Sequence, residues 1–107
     1  MIELLYSFAQ SDSKVIERIV DDEFAAINHM VLGKLEALPE HNANSNVYMI
    51  VVRGTITLRL DDQAAHQYAS GSIIAIPHKT KMNVSNQDAG VLEFFVVKSP
   101  SPRHMIS

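Results

Sequence analysis

An all-β fold, of sandwich or barrel type, is the architecture this sequence predicts, and three observations carry the prediction. Apolar residues cluster in runs of strand length, none longer than about six residues. Thr55 to Leu60 alternates without interruption, with Ile56, Leu58 and Leu60 on one side and Thr55, Thr57 and Arg59 on the other. Turn residues then punctuate the chain at intervals of roughly ten residues, which suits six to eight short antiparallel strands.

Taken in order, Lys14 to Val20 is the one ambiguous element. Its Ser11/Asp12/Ser13 start and the spacing of Val15, Ile16, Ile19 and Val20 suit a short helix as well as a strand. Asp21-Asp22 marks a turn, and Phe24 to Leu35 reads as one long strand. Val47 to Val52 is apolar on both faces, the pattern of a strand packed on both sides. Arg53-Gly54 joins it as a hairpin to Thr55–Leu60, which ends at Asp61-Asp62-Gln63. Ser72 to Ile76 and Val91 to Val97 supply two more strands. After them, prolines at 100 and 102 interrupt any strand or helix, so residues 99–107 read as a terminal extension.

Length and composition limit what such a fold can do. The 107 residues suit one domain, and 47% hydrophobic against 20% charged residues is enough apolar surface to build a core without staples. A formal charge of −3 with no basic run argues against nucleic-acid binding. No apolar run approaches the ~20 residues that span a bilayer, and Met1-Ile2-Glu3 opens without a basic leader, so no membrane association and a cytoplasmic location are expected. The absence of cysteine removes disulfides, thiolate metal sites and a thiol nucleophile. The four glycines lie about twenty residues apart, so no phosphate-cradling loop is present, and no serine sits in a Gly-x-Ser-x-Gly elbow.

Gly71 and Pro77 enclose five residues, Asn86 follows downstream, and Gly54 closes a strand that begins at Val47. In this order and spacing, residues from about Gly33 to Val97 resemble a cupin, a small double-stranded β-helix or jelly-roll barrel of the RmlC-like type. The resemblance implies one cupin domain over residues 1–107. Cupins that bind a transition metal converge three histidines and a glutamate inside the barrel. Counted back from Gly54, those positions fall on His41, Ala43 and Val47; in the second motif the histidine position is Met82 and the glycine position Lys79. Only His41 keeps a ligating side chain there, and one imidazole does not hold an ion that needs about three protein ligands. No metal and no cofactor is therefore expected on the family pattern.

If His41 faces inward, alternation turns Val47, Met49 and Val51 inward as well. His41, Val47, Met49 and Met82 are accordingly the candidate ligand-binding residues: an imidazole that bonds a ligand or acts as acid or base, above a soft apolar lining that adapts to its guest. The alternative is that the methionines simply plug the barrel. His29 lies within an apolar strand and His78 beside Pro77; with His41 they compose the alternative, a non-standard metal site. Lys79, Lys81 and Asn83 have the opposite parity to Met82 and read as a solvated face.

A small-molecule-binding barrel without the usual metal centre is the leading expectation. A small isomerase-, epimerase- or dioxygenase-like enzyme built on His41 or on the displaced histidines is the alternative. Under either, the apolar Met1 to Phe8 suggests that residues 1–13 meet a second copy of the chain in a homodimer.

Overall fold

A computed structural model describes residues 1–105 and contains nine strands: β1 (Val15–Asp21), β2 (Ala26–Leu32), β3 (His41–Asn42), β4 (Val47–Arg53), β5 (Thr55–Leu60), β6 (His66–Ala69), β7 (Ile73–Ile76), β8 (Lys81–Ser85) and β9 (Leu92–Lys98). They form two antiparallel sheets, one ordered β1-β2-β9-β4-β7 and the other β3-β8-β5-β6. The expected all-β jelly roll is what the chain adopts.

The core lies between the sheets and follows from strand parity. Met30 and Leu32 of β2, Val47, Met49 and Val51 of β4, and Leu92, Phe94 and Val96 of β9 enter it from one side. Ile56 and Leu58 of β5 and Met82 and Val84 of β8 meet them from the other. Phe94 pairs with both Met30 and Val51, and is fully buried at the centre of the larger sheet. Gly54 turns β4 into β5 at φ +81°, and a Cβ there would overlap the Val91 carbonyl oxygen, so only glycine fits.

Several local readings change. Lys14–Val20 is strand rather than helix, because pairing with β2 places Glu17 opposite His29 and Arg18 opposite Asn28. The long strand expected over Phe24–Leu35 shrinks to Ala26–Leu32. The Asp22 carboxylate accepts the Phe24 and Ala25 N–H groups in a turn at its start, and Leu35 takes φ +63° beyond its end. Strand β4 is buried on one face only; Tyr48 and Val52 are 45% and 46% exposed on the other. The tail does not run free. A 3-10 turn at Pro102–His104, with proline at its start, returns it to the body: Ser101 is buried and Arg103 Nη2 donates to the Asp21 main-chain oxygen at 2.9 Å. Residues 106 and 107 of the tail lie outside the described residues.

Candidate functional site

Residues His41, Val47, Met49 and Met82 line one cavity between the sheets at the mouth of the barrel. Their convergence follows from register. His41 pairs with Met82 across β3 and β8, while Val47 and Met49 keep the inward parity of β4. The throat they enclose is narrow, about 30 Å3, enough for a water molecule or one small substituent. The side chains therefore fill most of the barrel interior, and the roomier space lies at its mouth.

His41 itself is exposed at the rim. Its Nδ1 lies 2.9 Å from the Pro39 carbonyl, which can only accept, so Nδ1 carries the proton and Nε2 is the lone-pair nitrogen of the neutral ring. Lys79, Lys81 and Asn83 line neither the throat nor its mouth.

Asn28 and Lys98 also line the throat, and sequence reasoning passed over both. The signal was present as parity: Lys98 continues the inward series Leu92, Phe94, Val96, and Asn28 precedes Met30 and Leu32 on β2. Asn28 Oδ1 is buried with no hydrogen-bond partner among the described residues. Lys98 is half-buried; loss of hydration, then the nearby Arg18 charge, holds its amine below the usual lysine range. Asn28, Asn44 and Lys98 continue outward into a vestibule of about 180 Å3, whose walls add Arg18, Asp21 and Arg103.

The opposite face of the same sheet holds a second polar cluster. His29 is fully buried, with Nδ1 2.7 Å from Glu17 Oε2 and Nε2 2.6 Å from Glu93 Oε2. A neutral imidazole has one N–H, so both contacts are hydrogen bonds with ionised carboxylates only when both ring nitrogens are protonated. The Ala9 N–H, and after it His29, hold the Glu17 carboxyl below its ordinary value. Arg53 spans Glu93 Oε1 at 3.3 Å and Asp12 Oδ1 at 2.6 Å, and the Asp12 bond raises its guanidinium further. The Phe8 ring covers this cluster, 4.8 Å from His29 and 4.9 Å from Phe95.

This arrangement corrects the notion of a displaced metal site. His29 faces away from the barrel interior with both nitrogens engaged, so it does not join His41 and His78. Among the described residues, no three histidines or carboxylates are placed to share an ion.

No family model matches the chain. It is 42% identical, over 106 residues, to an uncharacterized protein of Methanocaldococcus jannaschii, covering 98% of this chain and 91% of that one. A crystal structure from the same organism, described as an RmlC-like cupin family protein with a double-stranded β-helix fold, superposes with a TM-score of 0.94 at 43% identity, over 96% of this chain and 95% of the other. The chain belongs to the RmlC-like cupin family. A cupin superfamily protein of Desulfitobacterium hafniense shares the fold at a TM-score of 0.73 and 11% identity, over 87% and 83% of the two chains.

The residues of this cupin do not fit the family's metal. Ala43, Val47 and Met82, which occupy three of the four ligand positions, are 4%, 2% and 1% exposed and pack into the core. Alanine and valine have no lone pair to donate, and a thioether is a soft ligand suited mainly to copper(I).

Proposed function

We propose that this cupin binds a small molecule at the mouth of its barrel, without the family's metal centre. The observation that carries the reading is the convergence of His41, Val47, Met49 and Met82 on one apolar throat that opens beside polar groups. Apolar lining with a few oriented polar groups is the usual make-up of a ligand site, and two methionines let the throat adjust to a substituent larger than its resting volume. The test is a fragment titration followed through the methionine methyl NMR signals. Selective shifts at Met49 and Met82 are expected, with the Met49 shift lost in Met82→Trp; a panel that leaves both methyls unmoved would refute the reading.

One observation favours a catalytic variant of it. With Nδ1–H directed at Pro39, Nε2 of His41 is an oriented base at the rim. Loss of turnover in His41→Gln, for any compound found to bind, would support this; full turnover would remove it.

The same proposal includes a homodimer. Residues Phe8 to Asp12 strap the outer face of the larger sheet, from Arg53 on β4 to Glu17 on β1. Beyond the strap, Met1, Ile2, Leu4 and Leu5 are 79–105% exposed, and on the sheet Tyr48, Val52 and Ile73 form an apolar patch that the chain's own arm leaves uncovered. A second copy is the partner offering both complements. At roughly 100 Å2 per side chain, these seven residues on each of two copies give about 1,400 Å2, the size of a stable interface. Light scattering of the full chain should report a dimer, and Ile73→Lys or removal of residues 1–7 a folded monomer.

A further inference from the structure

The vestibule outside the throat carries an unbalanced charge. Arg18 and Arg103 share one carboxylate, that of Asp21, at 3.4 and 3.1 Å. Lys98 has no carboxylate partner among the described residues, although it is half-buried. Among the residues lining about 180 Å3 of space, three cations therefore stand against one anion, and the Asp22 charge nearby acts on Arg103. Register explains why they meet there. Arg18 is opposite Asn28, and Ala26 lies between Asp21 and Lys98, so all five project to the inner side of one end of the sheet. The Arg103 turn then closes over them from the tail.

A cation stripped of part of its hydration and left without a counter-charge is costly unless something supplies one. The neighbouring carboxylates do not pair with Lys98: Glu17 and Glu93 are engaged by His29 and Arg53 across the sheet, and the Asp22 charge acts on Arg103. Beside Lys98, the buried Asn28 Oδ1 has no donor, which adds a second unmet requirement at the same wall.

We propose that this vestibule binds the anionic head of a small organic acid, its carboxylate or phosphate set against Lys98 with Arg18 and Arg103 beside it. A hydroxyl next to the head donates to Asn28 Oδ1, and a short apolar group points into the Met49/Met82 throat. The volume limits the ligand to a few carbons beyond its charged group. This assignment rests on the reading of the barrel mouth as a ligand site and names the ligand class.

Thermal-shift and calorimetric titrations of the full chain test it, with lactate and 2-hydroxyisovalerate as hydroxy acids, glycerol 3-phosphate and inorganic phosphate as phosphates, and lactamide as the neutral control. At least one hydroxylated anion should bind, weakening as salt rises, while lactamide does not; comparing the carboxylates with the phosphates distinguishes the two heads. Lys98→Met should weaken that binding by roughly tenfold or more, Lys98→Arg should largely retain it, and Asn28→Ala should lower affinity for hydroxylated acids while sparing their deoxy analogues. The proposal is overturned if lactamide binds as well as lactate, if only inorganic phosphate binds, or if Lys98→Met leaves affinity unchanged in a folded protein. Neutral fragments that move the Met49 and Met82 methyls while every anion fails would leave the barrel-mouth reading standing and remove this one. Failure of both classes would remove both.

Discussion

The two faces of the five-stranded sheet solve the same problem in opposite ways. On the outer face, Glu17, His29, Glu93, Arg53 and Asp12 form a continuous row of short polar contacts roofed by Phe8, in which, among the described residues, only Arg53 Nε lacks a hydrogen bond of its own. On the inner face, one residue away along the same strands, Arg18 shares the Asp21 carboxylate with Arg103, Asn28 Oδ1 is buried without a donor, and Lys98 has no carboxylate partner among the described residues. Buried polar groups that are fully partnered hold a structure in one arrangement. Groups left unpartnered cost stability, and functional sites are where that cost is characteristically tolerated. In our proposal, this contrast makes the outer row structural and the inner mouth the place for a ligand.

Adjacent residues make the sharpest break of this comparison. His29→Leu should strip the Glu17 and Glu93 carboxylates of their shared partner and cost about 3 kcal/mol by urea denaturation, with loosening of the Phe8 strap visible in hydrogen exchange. Asn28→Leu, on the inner face, should instead stabilise the chain by about 1 kcal/mol, because it removes an acceptor that has no donor. If both substitutions destabilise equally, the inner mouth is as well satisfied as the outer row and the distinction collapses.

Acid titration probes the outer row together with the β1–β2 turn, where the Ala25 and Phe24 N–H groups hold the Asp22 carboxyl below its ordinary value, and Glu17→Gln separates the two. Glu17 sits below its ordinary value of 4.5 in the folded chain, so it binds a proton less readily folded than unfolded. The stability it contributes is fully present above that value and is lost as pH falls through the lower, folded one. Melting temperature should therefore drop on acidification below about pH 5. In Glu17→Gln the drop should be shallower and the starting value lower; an identical profile would show that Glu17 does not anchor the strap.

Lys98→Met should have the smallest effect on the fold, about 0.5 kcal/mol or less and in the stabilising direction, since its charge is partly desolvated and repelled by Arg18. A clear loss of stability on chemical denaturation would mean that the amine has a structural partner and is not held for a ligand.

Much of this architecture was legible in advance because alternation is a local property. Thr55–Leu60 declared its faces by composition, and Gly54 declared its turn. The four candidate residues came from the resemblance to cupins, counted from Gly54 and Pro77, and from strand alternation; all four lie around one cavity. Readings that failed depended on partners distant in the chain. Lys14–Val20 has both a helical and an extended pattern, and pairing with β2 decides between them. The apolar outer face of β4 promised a covering layer that the chain itself does not supply. The alternative that made His29 a spare ligand stayed open because nothing in its neighbours along the chain announces Glu17, twelve residues away, or Glu93, sixty-four away.

Local chemistry alone thus determined that this chain is all-β; set against its resemblance to cupins, residue type also implied that the metal-centre positions lack donors and carry a soft apolar lining in their place. Those are statements about residue type and period, which no packing arrangement can alter. Which charges are paired and which are left open was decided only when the strands closed. A carboxylate neutralises a cation within a few ångströms whatever their separation in sequence, and register alone sends Glu17 to the outer face and Arg18, its neighbour, to the mouth.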